Sequence, residues 1–421
     1  MQQRLKCTAL ILPAALAVVA ACDDGGSRWA GTITDSAGVT IVANPAEGIW
    51  TEADRWTLEE DLRIGVQEGD PDHQFGEIGA ITIDSHGRIF VLDVQSQQIK
   101  IYTADGIYQQ TLGSRGDGPG EMQWTLSVLI GPGDTLLVPD RRLQRMNRFA
   151  PDGSFINSTN YSREDGVSLS FRTNSSGVVA EQVRPLVVGR RVPDDPEDAI
   201  VLWAPDGTRV DTLASFPSGG YIDMSGPRST EFHLYSPEPC WDLTETGGLL
   251  FGVNDAYRFE ISSSGGRLER VVTKAHEPRP VTERDIGIVR THLEEGWRND
   301  GAPPDLVLRL LKTWHFNDFF PAFQALYEGP AGTVWVQKVK PPSEMTKEET
   351  AALNFPNEWV ARKWDVFDSD GRFLGQVAMP TRFTPRVFRG DRIYGVWRDE
   401  LDVSYVVRLH VVGDVGVPAA P

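Results

Sequence analysis

Four polar side chains stand at matching points along the chain: Asp93, Asp140, Glu181 and Asn254. They fall at or near the ends of the apolar runs "RIFVLD", "TLLVPD", "VVAEQV" and "LLFGVN". Brought together, such oxygen donors suit a hard cation such as Ca²⁺, and the enzyme expectation is a metal-dependent hydrolase or lyase with a cation in a central channel. The other reading is structural: these groups bond the backbone of neighbouring repeats. Equivalent points elsewhere hold Lys338, and Trp397 with Arg398, while Arg141 follows Asp140. Together these make a mixed-charge mouth suited to an anionic or peptide ligand.

A second stretch invites a chemical reading. "GSRGDGPGEMQ", Gly113 to Gln123, packs four glycines into eight residues, as a phosphate cradle does. A P-loop needs Gly-Lys-Ser/Thr ahead of a helix, and this stretch has no Lys and no helical pattern after it. It is expected to be a linker whose glycines serve tight reversals. Other catalytic signatures are absent: no His-Glu-x-x-His, no Gly-x-Ser-x-Gly and no cysteine pair for zinc. The seven histidines are scattered, and His315 sits beside aromatics in "WHF" as a packing residue. No catalytic residue can be assigned, and no cofactor beyond the possible Ca²⁺. Cys240 is expected to be buried and inert.

The elements that must position these residues come from a repeat. "GAITIDSHGRIFVLDVQSQQIKIYTADGIYQQTLG", Gly79 to Gly113, holds four short alternating runs separated by Ser85-His86-Gly87 and Ala104-Asp105-Gly106 turns. Period-two alternation with Gly/Asp turns marks an antiparallel meander. The first-to-second-strand turn recurs six times, at Ser85–Gly87, Gly131–Asp134, Ser175–Gly177, Thr246–Gly248, Pro330–Gly332 and Arg389–Asp391. Six four-stranded units predict an all-β, six-bladed β-propeller. The sixth unit ends after "SYVVRLHVV" without a fourth strand, while "WTLEEDLRIG", Trp56 to Gly65, lacks a partner. That N-terminal strand is expected to complete the last blade, close the ring and remove the exposed sheet edge. "TITDSAGVTIVANP", Thr32 to Pro45, is read as a hairpin outside the ring.

"LGSRGDGPGEM" and the strands of "IDSHGRIFVLDVQSQQIKIY" resemble the NHL-repeat type of propeller, and more narrowly the six-bladed propeller lipoproteins of environmental bacteria. The resemblance spans about residues 32 to 413 and is weaker in blades three to five. It implies fold and surface location, and no reaction.

Long insertions fall on one face: Arg184–Asp198, Ser218–Glu238, Pro278–Phe320 and Lys340–Glu358. Pro278–Phe320, between blades four and five, predicts a helical hairpin over about 279–320. Thr282 and Asp285 have near capping-box spacing, and Ile286, Val289, Leu293 and Trp297 share a face. Asp305 is expected to cap a second helix bearing Leu306, Leu310, Leu311 and Trp314. "TKEETAAL", Thr346 to Leu353, predicts one short helix.

At the N-terminus, Arg4 and Lys6 precede an apolar run, Ala9 to Ala21, too short to span a bilayer. The run closes on "VAAC", which resembles the lipobox of bacterial lipoproteins; that resemblance implies acylation of Cys22. The expected layout is a signal peptide at 1–21, a tether at 22–31, the propeller at 32–413 and a tail at 414–421. Asp23 follows the cysteine, which in enterobacterial lipoproteins implies retention at the inner membrane. The expected location is the bacterial cell envelope, lipid-anchored, on the periplasmic side of the inner membrane or at the outer membrane. The formal net charge of −18, or −20 once Arg4 and Lys6 are removed, argues against nucleic acid. The sequence thus favours a monomeric, membrane-anchored binding scaffold over an enzyme. Its insertion-bearing face would recognise an envelope protein, peptide or glycan, and its only membrane contact would be the lipid.

Overall fold

The computed structural model describes residues 29–161, 166–187, 197–217, 222–223, 232–351 and 360–413. Six antiparallel meanders follow one another along the chain. Blade one is Ile78–Ile83, Ile89–Asp93, Gln98–Tyr102 and Tyr108–Leu112. Blade two is Leu129–Ile130, Leu136–Asp140, Arg145–Phe149 and Phe155–Asn160. Blade three is Val167–Thr173, Val179–Arg184, Glu197–Trp203 and Arg209–Pro217. Blade four is Pro239–Leu243, Leu249–Val253, Arg258–Ser262 and Leu268–Lys274. Blade five is Ala325–Glu328, Val334–Val339, Val360–Phe367 and Phe373–Ala378. Blade six is Phe383–Arg389, Arg392–Arg398, Ser404–Val412 and the early strand Thr57–Ile64.

Position in the meander decides each strand's pattern. Ile89–Asp93, flanked on both edges and covered on both faces, is buried throughout. The outer strand Tyr108–Leu112 alternates, and only Leu112 is fully buried. Between Ile78–Ile83 and Ile89–Asp93, Gly87 turns the chain at φ +78, a conformation costly for any residue with a Cβ.

The core lies between blades. Phe90, Leu92 and Ile101 of blade one pack on Ile130, Leu136 and Val138 of blade two. The pattern repeats around the molecule until Tyr394, Val396 and Val406 of blade six meet Ile81, Ile83 and Val91 of blade one. Each blade thus buries one face on each neighbour, as a radial repeat requires.

The expectation of a fold closed by an N-terminal strand is corrected, because no sheet is closed. Thr57–Ile64 does pair with Ser404–Val412, Thr57 opposite Val412, but it ends blade six as an open outer edge. Every other sheet is open too, so the ring is made by packing and the sheet edge is not removed. This edge is guarded by charge instead. Asp61 stands at a register shift and accepts from Arg408 at 2.7 Å, with Arg392 2.9 Å away. The hairpin Thr32–Ser36 and Val39–Asn44 lies outside the ring and extends blade four by parallel pairing with Leu268–Lys274.

The insertion between blades four and five is helical. Helix α1, Glu283–Asn299, begins on the expected capping box: Thr282 and Asp285 bond each other's backbone. Its inward residues Val289 and Leu293 pack with Trp314, Leu311 and Tyr235. Helix α2, Pro304–Lys312, departs from expectation. It starts on Pro303 with no side-chain cap, so Asp305 lies inside its first turn. Val307 is its buried residue, whereas Leu306 and Leu308 are exposed. Trp314 belongs to a short strand, Trp314–Phe316, paired in parallel with Phe232–Leu234. That pairing stitches the insertion to the link between blades three and four. Helix α3, Lys347–Ala351, follows Thr346 as the sequence predicts. Residues 1–28, with Cys22 and the expected signal peptide, and the tail 414–421 lie outside the described residues. Among the described residues no helix is long and apolar enough to cross a membrane.

Candidate functional site

Asp93 and Asp140 end their strands and Asn254 follows one, whereas Glu181 lies inside Val179–Arg184. Asp93 accepts from the amides of Gly76 (3.0 Å), Glu77 (3.3 Å), Gln95 (2.9 Å) and Ser96 (3.2 Å). Asp140 does the same for Gln123 (2.6 Å), Trp124 (3.4 Å), Arg142 (2.9 Å) and Leu143 (2.9 Å). Glu181 is held by Trp203 and Arg209, both at 3.0 Å, and burial raises its carboxyl above the ordinary value against that attraction. Asn254 accepts from the Glu238 amide at 2.7 Å and donates to the Phe323 carbonyl at 2.9 Å. Each therefore clamps the incoming link of its own blade, or a strand beside it.

The flanking cations are dispersed. Arg141 donates to the Leu169 carbonyl at 3.3 Å. Trp397 donates to the Thr381 carbonyl at 3.1 Å and carries the Arg63 guanidinium 4.2 Å above its ring. Arg398 lies 3.6 Å from Asp402. Lys338 lines a cavity, described below. Cys240 is a free thiol, pushed up to about 12 by burial.

"GSRGDGPGEMQ" is a blade link. Met122 is fully buried at the interface of blades one and two. The Gly116 amide donates to the Met122 carbonyl (3.1 Å) and the Gly118 amide to Glu121 (2.7 Å), while Arg145 grips the Gly118 and Glu121 carbonyls. Amides that a phosphate would need are already engaged.

A metal-capable cluster lies elsewhere. Among the described residues, Asp84, His86 and Asp134 bring ligand atoms within 4.8 Å of one another. Asp84 and His86 come from the first turn of blade one, and Asp134 from the equivalent turn of blade two. The Asp84 side chain is fully buried, accepting from the amides of His86 (3.0 Å) and Arg88 (2.8 Å) and from Arg88 Nε (2.6 Å). Asp134 accepts from the Ser85 amide (2.9 Å) and hydroxyl (2.6 Å), with His86 Nδ1 at 3.1 Å. Burial opposes ionisation of Asp134, but the Ser85 bonds and His86 outweigh it and hold its carboxyl below the usual value. The His86 side chain is 76% exposed, so the cluster faces solvent on that side. Two carboxylates and an imidazole form a recognised set of metal donors. The sequence marks these residues only as turns; the one signal was an Asp-Ser-His-Gly turn beside a second turn ending in Asp.

A polar cavity of about 140 Å³ opens between blades four and five, at the blade ends that carry the insertions. Its lining includes Tyr257, Lys274, His276, Arg279, Phe320, Lys338 and Asp365. Fully buried Asp365 is 3.1 Å from the Lys274 ammonium and accepts from Tyr257 Oη (2.7 Å) and Gln376 Nε2 (2.9 Å). Burial, and then the charges of Lys274, Lys338 and Arg279, lower His276 below the ordinary imidazole value. Lys338 stands where the ladder between Val334–Val339 and Val360–Phe367 shifts register. Of these residues only Lys338 was singled out by the repeat pattern.

Comparison with known proteins agrees on architecture. A family described as a 6-bladed beta-propeller, DUF5128, matches residues 68–164. The fold is a six-bladed β-propeller. No curated protein matches the chain in sequence. A member of the DUF4221 family from Bacteroides vulgatus superposes with a TM-score of 0.53 at 10% identity, covering 85% of this chain and 98% of that one. A Bacteroides fragilis protein gives 0.50 at 10% identity, over 88% and 99%. Virginiamycin B lyase from Staphylococcus aureus gives 0.41 at 11% identity, over 85% and 100%.

Three expectations from the sequence are corrected. The family that matches is described by its six blades and not by the NHL repeat. The preference for a non-enzymatic scaffold rested on long insertions sharing one face and on no visible catalytic set, and folding assembles a metal-capable set from two turns. The scaffold reading is set aside with it; the lipid anchor expected at Cys22 lies outside the described residues.

Proposed function

We propose that the protein is a metal-dependent enzyme, a hydrolase or lyase, whose cation is held by Asp84, His86 and Asp134. One observation carries this reading: three ligand atoms from two blades lie within 4.8 Å, with the imidazole side open to solvent. A catalytic metal needs few protein ligands and an open position, and a bound cation acidifies water or polarises a carbonyl. The chain supplies the rest. Asp134 is ionised at neutral pH, Ser85 fixes its orientation, and Asp84 must share its outer oxygen with Arg88. An imidazole among the donors favours Zn²⁺ or Mn²⁺ over the Ca²⁺ first expected, because Ca²⁺ takes oxygen ligands. The cation is placed at these turns because, among the described residues, Asp84, His86 and Asp134 converge, whereas Asp93, Asp140 and Asn254 serve backbone groups in separate blades and Glu181 is taken by the Trp203 and Arg209 side chains. The N-terminal export pattern supports action in the cell envelope.

The test is a turnover assay on chelator-treated protein, with and without restored Zn²⁺ or Mn²⁺, against esters, lactones and glycans. Metal-restored turnover that disappears in Asp134→Asn supports the proposal. Turnover indifferent to metal, or equal in the variant, overturns it.

A further inference from the structure

Around the cavity between blades four and five the cations differ in how they are paired, and the carboxylate of Glu277, also on the lining, is exposed and forms no ion pair with Lys338 among the described residues. Lys274 is neutralised by Asp365, whose oxygens are covered by Tyr257, Gln376 and Lys274 itself. Arg279 is paired with Glu344. Lys338 is half-buried and has no ion-pair partner among the described residues. His276 is held below its ordinary value mainly by burial and so adds no further cation. A half-buried cation beside a cavity gains most from an anion that shares its desolvated setting. The walls restrict which anion. Phe320, Ala322 and Val339 put hydrocarbon on the same lining as Lys338, which suits a ligand with an anionic end and a hydrocarbon body better than a sulfate or phosphate, whose oxygens call for donors on every side. About 140 Å³ admits a small molecule and no folded partner.

We infer that this cavity binds a small organic carboxylate, its anionic end on Lys338 and its hydrocarbon against Phe320, Ala322 and Val339. The inference stands apart from the metal proposal, since it involves other blades and no shared residue. Lys338 owes its place to the register shift: an irregular ladder re-aims a side chain that regular pairing would hold over a neighbour.

The experiment is calorimetry and saturation-transfer NMR on the purified protein with propionate and isobutyrate, their neutral amides, and sulfate. The carboxylates should bind and compete with each other, and the amides and sulfate should not displace them. Lys338→Met should weaken carboxylate binding by about tenfold or more, and Lys338→Arg should largely restore it. Thermal melting of both variants separates lost binding from lost folding. Equal binding of acid and amide, competition by sulfate, an unaffected Lys338→Met protein that melts as wild type, or no carboxylate binding at all would each overturn the inference. None of these outcomes bears on metal turnover at Asp84, His86 and Asp134, so the two proposals fail separately.

Discussion

Asp140 shows what a residue can and cannot disclose before folding. Its place at the end of "TLLVPD" identified it as the end of an inner strand, and the same argument reached Asp93. What each carboxylate meets depends on where the blade link runs, and in both cases four backbone amides converge on it. Asp140→Ala would strand those amides in a buried site and should cost about 3 kcal/mol in urea unfolding, with metal affinity unchanged. His86 and Asp134 were illegible for the converse reason. They lie 48 residues apart, and only the stacking of successive blades brings their turns together. Local sequence carries turn propensity, and nothing in it states which turn will be the neighbour.

Helices and strands were more legible because their signals are local. The Thr282–Asp285 pair reads directly as a helix start, and the structure forms both reciprocal bonds. Thr282→Ala should loosen the first turn of α1 by about 1 kcal/mol, seen as faster amide exchange there before any change in global melting. Helix α2 was read a residue out of phase. A run of Leu306, Val307, Leu308, Leu310 and Leu311 has apolar residues on several faces, so periodicity alone cannot choose the buried one. The start at Pro303 and packing against α1 and the strand Trp314–Phe316 select Val307. The strand Thr57–Ile64 was placed correctly beside Ser404–Val412, but pairing along one edge leaves the other open.

At the scale of the molecule, stability comes from blade-on-blade packing, and two carboxyls sit within one such interface. Burial pushes Asp242 up to about 6, against the attraction of Arg172. Burial also pushes Glu328 up to about 7, and the nearby acids Glu245 and Asp242 add to the rise. Both exceed ordinary carboxylate values, so from about pH 4 to about pH 7 the folded protein binds more protons than the unfolded chain. Their contribution is therefore present at the acid end of that window and lost as pH rises through it. Glu328→Gln should shrink the fall in melting temperature between about pH 5 and about pH 7.5, with Asp242 leaving a smaller residue of it. A slope identical to wild type would show that Glu328 ionises freely. The six-blade count itself was legible from recurring turns, because each repeat carries its own local punctuation.

The metal-capable cluster is made by the first turns of blades one and two. The most direct test is calorimetric titration of the metal-free protein with Zn²⁺, Mn²⁺ and Ca²⁺, alongside Asp134→Asn and His86→Ala. The structure predicts a single stoichiometric site that prefers Zn²⁺ or Mn²⁺ to Ca²⁺ and weakens by about tenfold or more in either variant. No binding, or binding that both variants retain, would contradict it.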